Sequence, residues 1–209
     1  MTRTLTEGLR RGGDSIVRCW WCGDIPDYRE YHDIEWGVPV TDEVRLFEKI
    51  ALEGFQSGLS WLTILRKREN FRAAFSGFNP DRVARFGAAH VTRLLGNAGI
   101  VRHRGKIEAT IANAKALLEL REREGSLAKF VWSYAPATES RVRSRTDVRA
   151  TSAESVALSK ELKRRGWRFV GPTTSYAFFQ AMGLVNDHLE GCSRFAEVRE
   201  LRAATLARI

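Results

Sequence analysis

The sequence predicts an all-α fold. Apolar residues recur at helical spacing along most of the chain, and no sustained alternation of apolar and polar residues indicates a sheet. Typical helix-starting residues precede the apolar stretches: Thr41 or Asp42, then Ser60, then Asn79 followed by Pro80. A length of 209 residues with 44% hydrophobic content suits one compact domain with a buried core.

Later elements follow the same pattern. The helix that Ser60 begins is expected to stop at Gly77, and the longest predicted helix covers residues 104–125. Thr151 and Glu154 have the spacing of a capping box before a further helix, and an apolar helix is expected over residues 172–184. The remaining polar segments, 1–16 and 135–150, are predicted to be a loose tail and an exposed loop.

The charge balance indicates which classes of binding partner are favoured. The net charge is +9, and arginines cluster in residues 101–106 and 141–149. Such a balance favours a polyanion, either a nucleic acid or an anionic membrane surface, although an arginine-rich composition alone explains the charge equally well. No apolar run reaches the length of a membrane span, and the first residues lack the apolar core of a signal peptide. We therefore expect a soluble, cytoplasmic protein without a membrane partner.

Cysteine and histidine residues suggest a metal site. Cys19 and Cys22 form a C-x2-C pair, His32 follows, and His188 precedes Cys192 by four residues. Three cysteines without an export signal favour metal binding over disulfides. Two thiolates and two imidazoles form a closed tetrahedral zinc shell of the structural type. Five candidates compete for four positions, and buried thiols with hydrogen-bonded histidines are the alternative.

The segment NAGIVRHRGKI, residues 97–107, indicates a turn between two helices. Its glycine turn precedes Arg102, Arg104 and Lys106. A hairpin of this kind can direct backbone N–H groups and a helix N-terminus at a phosphate, while the cations attract DNA without regard to sequence. An ordinary glycine turn in a helical domain is an equally weighted interpretation of the segment alone.

Aromatic residues are concentrated near a single buried-type carboxylate. Glu53 lies in a mostly apolar helix end beside Gly54, and Trp61 follows it. Rings around one acid suit a flat cationic heterocycle, which they bind by stacking, cation–π attraction and a charge-assisted hydrogen bond. Simple core packing is the alternative interpretation of the same rings. The other rings of this group are Trp20, Trp21, Tyr28, Tyr31 and Trp36.

Several long motifs resemble one family in unbroken order. Residues 17–195 are similar to the DNA-3-methyladenine glycosylase I family, with terminal extensions over 1–16 and 196–209. The motifs that carry the resemblance are YHDIEWGVP (31–39), LEGFQSGLSW (52–61), RKRENFRAAF (66–75), NAGIVRHRGKI (97–107), FVWSY (130–134) and LKRRGWRFVGPTTSYAFFQAMGLVNDH (162–188).

The resemblance implies a helix-hairpin-helix glycosylase with one structural zinc that joins the N- and C-terminal segments. It assigns base recognition to Glu53 and a wedge into the duplex to Leu59. It leaves Cys22 as a bystander. The implied zinc ligands are Cys19, His32, His188 and Cys192; the implied pocket rings are Trp21, Tyr28, Tyr31, Trp36 and Trp61; the implied hairpin contacts to double-stranded DNA are Gly99, Arg102, Arg104 and Lys106.

The chemistry implied is hydrolysis of an already weakened bond. No aspartate lies between Asp81 and Asp147, where most helix-hairpin-helix glycosylases carry a catalytic one. A 3-methyladenine substrate, cationic in DNA, leaves readily as a neutral base and needs no such group. We expect a monomer that leaves an abasic site unnicked. A damage-sensing protein without activity and a zinc hydrolase are the alternatives; a four-ligand zinc shell disfavours the hydrolase.

Overall fold

The computed structural model describes residues 5–138 and 141–209 and confirms a predominantly helical chain. Its residues form two compact units. We call the first the cysteine/histidine unit, which comprises Met1–Val40, Ala135–Ala150 and Phe179–Ile209, and the second the central unit, which comprises Thr41–Tyr134 and Thr151–Phe178. No helix in the described ranges is both long and apolar enough to cross a bilayer.

The cysteine/histidine unit combines short elements from distant parts of the chain. Its strands and helices are β1 (Leu9–Arg11), β2 (Val17–Cys19), α1 (Pro26–Glu30) and α10 (Phe195–Leu206), with a π-helical turn over Tyr31–Glu35. The central unit is helical and contains α2 (Glu43–Gln56), α3 (Trp61–Ala74), α4 (Pro80–Val83), α5 (Ala88–Gly96), α6 (Arg104–Glu124), α7 (Leu127–Trp132) and α8 (Ala153–Arg164). Helix α9 (Pro172–Ala181) begins in the central unit and ends in the other.

The predicted helix starts are confirmed where a polar side chain caps free N–H groups. Asp42 accepts a hydrogen bond from the Arg45 backbone N–H at 2.8 Å, and Ser60 accepts one from Thr63 at 3.2 Å. Asn79 does the same for α4. Each cap satisfies a donor that the first helical turn leaves without a partner.

A layer of phenylalanines forms the core of the central unit. The rings of Phe55 and Phe71 lie 4.6 Å apart, and those of Phe75 and Phe78 stack at 5.5 Å. Phe47 joins them, and all five are fully buried. Helix α2 is thereby fixed against α3, so the residues at its end keep a defined position.

Three helix boundaries differ from the sequence prediction. Helix α3 ends at Ala74, before the predicted stop at Gly77. Ser152, not Thr151, caps α8, because the Ser152 and Ser155 hydroxyls each accept from the other's backbone N–H at 3.2 and 2.9 Å. Helix α9 ends at Ala181 rather than near residue 184. Gly183 has φ +76°, and a Cβ there would lie 2.6 Å from the Gly37 carbonyl oxygen, so the backbone turns where only glycine fits.

Two segments predicted to be loose are packed. Residues 9–11 of the supposed tail form β1, which pairs antiparallel with β2 so that Leu9 lies opposite Cys19. In the supposed exposed loop, Val142 is buried with Leu189, and its carbonyl accepts from the Glu190 N–H at 2.8 Å. Both errors arose because single apolar residues within polar segments, Leu9 and Val142, are packed into the unit without forming a periodic apolar pattern.

The segment after residue 195 is also a structural part of its unit. Helix α10 buries Val198, and the buried guanidinium of Arg202 donates to the carbonyl oxygens of Leu184 and Pro136 at 2.8 and 2.5 Å. These hydrogen bonds satisfy carbonyls outside regular structure, so α10 holds two loops in place.

Candidate functional site

Four buried side chains converge in the cysteine/histidine unit. The ligand atoms of Cys19, His32, His188 and Cys192 all lie within 4.8 Å of one another. The Cys192 sulfur is 3.5 Å from both His32 Nε2 and His188 Nδ1, and the Cys19 sulfur is 3.8 Å from His188 Nδ1. Tetrahedral zinc with its usual bond lengths separates such ligands by about 3.3–3.8 Å. The group therefore fits a tetrahedral metal ion.

The other nitrogen of each imidazole already has a partner. His32 Nδ1 donates to Asp33 Oδ1 at 2.8 Å, and His188 Nε2 donates to the Trp36 carbonyl oxygen at 2.9 Å. These bonds fix the tautomers so that His32 Nε2 and His188 Nδ1 can offer lone pairs to a metal.

Hydrogen bonding supports one thiolate in this group. A hydrogen bond from the Cys19 sulfur lowers the pKa of Cys192, whereas the same bond and burial raise the pKa of Cys19. The Leu189 N–H donates to the Cys19 sulfur at 3.5 Å. Cys22 lies outside the four-residue group, where its thiol donates to the Cys19 carbonyl oxygen at 3.2 Å and burial raises its pKa to about 11. Four of the five sequence candidates thus form the group.

An arginine supports the cluster from outside. Arg18 donates to both oxygens of Asp33 at 2.7–2.9 Å and also pairs with Asp14. Burial raises the pKa of Asp33, but the hydrogen bonds from Arg18 and His32 outweigh it and lower that pKa. The charged Asp33 therefore holds the His32 ring in place. Sequence reasoning missed Arg18 and Asp33, although a carboxylate next to a metal-type histidine is a usable signal.

The aromatic residues of the same unit surround Trp21. Its ring is 5.0 Å from Tyr28 and 4.9 Å from Trp36, both edge-on, and 6.3 Å from Tyr31. The buried indole N–H of Trp21 has no acceptor among the described residues. Four of the five predicted pocket rings are therefore together.

Glu53 and Trp61 are brought together in the central unit by a residue that the sequence did not single out. Lys49 Nζ lies 2.8 Å from Glu53 Oε1 and 3.2 Å from the centroid of the Trp61 ring. Glu53 and Lys49 are each only 5% exposed, and Trp61 is 8% exposed. The i, i+4 spacing of Lys49 and Glu53 on α2 was the available signal.

The turn between α2 and α3, residues 57–60, presents an apolar side chain. Gly58 has φ +84°, and Leu59 is 43% exposed. Lys106 donates to the carbonyl oxygens of Phe55 at 2.9 Å and Ser57 at 2.6 Å, where α2 ends. Burial lowers the pKa of Lys106. Its ammonium is thus engaged within the protein and does not reach outward, in contrast to the direct DNA contact predicted for it.

The segment 97–103 forms a tight turn between α5 and α6. The Asn97 side chain accepts from the Gly99 N–H at 2.8 Å, and His103 Nδ1 accepts from the Lys106 N–H at 3.2 Å to cap α6. A Cβ on Gly99 would lie 3.1 Å from the Asn70 side chain. Arg102 and Arg104 are both exposed around this turn.

Together these features define a class: a mainly helical protein with a closed Cys2His2 group, a buried carboxylate whose lysine partner lies over an aromatic ring, and a basic interhelical turn. Comparison with known proteins gives the particular family. The family model for methyladenine glycosylase matches residues 21–195, so the chain belongs to that family.

The relatives agree with this assignment. The chain is 50% identical over 179 residues to DNA-3-methyladenine glycosylase 1 of Escherichia coli (strain K12), covering 85% of this chain and 96% of that protein. It resembles the solved 3-methyladenine DNA glycosylase I of Staphylococcus aureus, studied for its recognition of 3-methyladenine, with a TM-score of 0.82 at 38% identity over 85% of this chain and 96% of that one. A crystal structure of 3-methyladenine DNA glycosylase I gives 0.81 at 50% identity, covering 84% of this chain and 98% of that one.

Proposed function

We propose that this protein is a monofunctional DNA glycosylase that releases 3-methyladenine from alkylated double-stranded DNA. The observation that carries the proposal is the cation site of the central unit, where a buried carboxylate and an indole face hold one positive charge between them. Relatives named for this activity, at up to 50% identity over most of the chain, support the substrate.

Charge selects the substrate in this mechanism. Methylation at N3 gives the adenine of a nucleotide a formal positive charge, so breaking the glycosidic bond releases a neutral base. Glu53 accepts a hydrogen bond from the exocyclic amine of the flipped base, and Trp61 stacks on it. The base takes the electron pair of the broken bond, and water adds to the sugar cation and loses a proton. No general acid is needed, in keeping with the absence of aspartate between Asp81 and Asp147 in the sequence.

Trp21, Tyr28, Tyr31 and Trp36 form an aromatic group within the cysteine/histidine unit, and base binding stays a prediction for each of them. The buried indole N–H of Trp21 is available as a donor to a ligand. A buried donor without an acceptor is costly, so such a group is commonly kept for a ligand.

The segment 97–103 acts as a helix-hairpin-helix element in this proposal. Backbone N–H groups around Gly99 bind a phosphate, and Arg102 and Arg104 add attraction that does not depend on sequence. Leu59 enters the gap that the flipped-out nucleotide leaves in the duplex. Lys106 positions the 57–60 turn through the carbonyl of Ser57. Because its ammonium is held there, Lys106 is unsuited to attack the sugar, which supports a reaction without strand nicking.

We infer that the Cys2His2 group binds one zinc ion per chain. The donor set and its spacing support zinc, and four protein ligands leave no position for a reactive water, so the metal has a structural role. It links segments around residues 19–32 and 188–192. The proposal also includes a monomeric, cytoplasmic enzyme whose domain covers residues 17–195.

Chromatography of bases released from methylated duplex DNA tests the function. We expect free 3-methyladenine and intact abasic strands, and elemental analysis should give one zinc per chain. A protein that binds methylated DNA and releases no base would be a damage-binding protein, the alternative class, and would end the proposal.

A further inference from the structure

The cation that lies between Glu53 and Trp61 belongs to the protein itself. The Lys49 ammonium is 2.8 Å from the carboxylate and 3.2 Å above the centre of the indole ring. In the proposed function these two groups hold the methylated base, and the following inference rests on that function.

One face of the indole cannot hold two occupants. Atoms of a stacked heterocycle lie about 3.5–4.0 Å from the ring on which they stack. The Lys49 ammonium occupies that layer over the centre of Trp61, and the ring is only 8% exposed. A base that stacks on this face therefore takes the space of the ammonium.

We propose that Lys49 is a resident counter-ion of the base pocket, which every incoming base must displace from Glu53 and Trp61. Lysine suits this role because its charge is a compact point on a flexible four-carbon stem. Glu48, which also lies on α2, has a partner that is held more firmly. Glu48 is held by both arms of the Arg72 guanidinium at 2.8 and 2.9 Å, a two-point geometry that does not release its partner readily.

The displacement of Lys49 lowers the affinity of the pocket for every base and does not change the preference between bases. The Glu53–Lys49 pair is lost whichever base enters, so Lys49 weakens the binding of charged and neutral bases by one common factor. Glu53, in contrast, distinguishes them, because only a cationic base restores the lost charge pair. Lys49 thus excludes weakly held bases, while Glu53 sets the ratio between damaged and normal bases.

Lysine-selective NMR tests the displacement directly. In the free protein, Lys49 Nζ lies 3.2 Å from the centroid of the Trp61 ring, so we expect the ring current to shift the signal of the adjacent ε-methylene protons upfield. Lys49→Met assigns that signal. Saturation with 3-methyladenine should return the signal towards the position of an exposed lysine. A signal that stays in place while the base is bound overturns the proposal.

Binding measurements test this lowering of affinity. Lys49→Met keeps an unbranched side chain and removes the charge. We expect free adenine, which is neutral, and 3-methyladenine alkylated at N9, which keeps the positive charge of the nucleotide, to bind more tightly by the same factor. Cation–π attraction of 0.5–2 kcal/mol gives about twofold to thirtyfold for that factor. Lys115→Met makes the same change at an exposed position of α6 and should leave both affinities unchanged.

The other outcomes each contradict the inference. Weaker binding of both ligands would show that Lys49 only supports the pocket, and tighter binding of the N9-alkylated cation alone would show that Lys49 stays in place and repels it. Borohydride trapping of the wild-type protein on methylated DNA, absent in Lys49→Met, would instead identify Lys49 as a nucleophile. If Lys49→Met fails to fold, Lys49→Met combined with Glu53→Gln removes the unpaired carboxylate, and the NMR test still uses the wild type.

The proposed function can fail separately. A wild-type protein that releases no 3-methyladenine from methylated DNA ends the proposed function. A wild type that releases it, but whose Lys49 signal does not move, ends only the inference about Lys49.

Discussion

The Cys2His2 group and the Glu53 site both bury ionisable side chains, and they hold them in opposite ways. Each histidine of the group has its outer nitrogen bonded to Asp33 or to the Trp36 carbonyl, and Arg18 fixes Asp33 in turn. At the Glu53 site, the flexible ammonium of Lys49 pairs with the carboxylate. The first arrangement is a fixed framework, whereas the second can exchange its partner.

The contrast shows how a buried charge can indicate its role. Buried charges are costly without a partner, so every one of them has some partner. The kind of partner is more informative: backbone carbonyls and two-point arginine contacts cannot leave without unfolding the local structure, whereas a lysine head can. Variants in the two regions should therefore fail differently, one by loss of folding and the other by loss of chemistry.

Removal of a ligand from the Cys2His2 group should have the largest effect. Cys192→Ser is expected to lose the metal and to destabilise the protein by at least about 3 kcal/mol, because structural zinc supplies folding free energy. Thermal unfolding and elemental analysis measure this. Cys22→Ser is the matched control outside the group and should retain the metal. Folded, active protein without any metal would contradict the structural role.

Loss of the Glu53 charge should leave folding intact and slow the chemistry. Glu53→Gln should slow release of 3-methyladenine about tenfold to hundredfold, as expected for a hydrogen bond to a charged group worth 1.5–3 kcal/mol, and Glu53→Ala should lose more. Single-turnover release measures the rate, with circular dichroism as a check on the helices. Glu48→Gln, the neighbouring buried glutamate, is the control and should keep the wild-type rate. Unchanged rates in both Glu53 variants would remove the carboxylate from the mechanism.

The exposed arginines of the 97–103 turn and Arg104 should change affinity alone. Arg102→Ala and Arg104→Ala are each expected to weaken binding to damaged and undamaged DNA alike, and to reduce the slope of log affinity against log salt by about 1. Arg85→Ala, exposed elsewhere in the central unit, is the control. Lys106→Met should lower stability without this change in slope, because its ammonium bonds to Phe55 and Ser57. Altered base preference at constant affinity would refute the assignment.

The ion pairs of Glu161 at the protein surface should have the smallest effect on stability. They provide a reference for the effects expected at the Cys2His2 group and at the Glu53 site. Hydrogen bonds from Arg164 and then Arg165 lower the pKa of Glu161 to about 2. Its stabilisation is therefore full above about pH 4.5 and is lost as the pH falls towards 2. Glu161→Gln should cost at most about 1 kcal/mol at pH 7 and flatten the acid limb of the stability curve. A larger loss at neutral pH would mean that this pair resembles the buried ones.

The sequence predicted the parts of the molecule that repeat or carry strong local signals. Helical spacing and caps such as Asp42 and Ser60 act over a single turn, so they identified α2 and α3. Five metal-type candidates could be selected because cysteine and histidine are rare in this chain, and the family resemblance reduced them to four. The hairpin β1–β2 and the burial of Val142 were missed, because short segments are held by contacts between residues far apart in the chain.

For the site residues, too, the residue type could be predicted from the sequence, but the tertiary contacts could not. Glu53 and Trp61 were identified by residue type, yet their actual link through Lys49 depends on how α2 packs against α3. Lys106 was assigned to DNA because it is basic and lies among other basic residues. Its burial under the end of α2 is a tertiary fact that composition cannot supply.

The separation of the metal ligands along the chain has a consequence for biosynthesis. In the sequence, His32 precedes and His188 follows every residue of the central unit, so residues 41–134 and 151–178 are synthesised between them. At 5–20 residues per second, a growing chain carries only two of the four ligands for on the order of ten seconds. On the proposal that this group binds zinc, metal loading follows synthesis of the central unit, and a cell short of zinc would accumulate chains whose central unit is made but whose Cys2His2 group holds no metal.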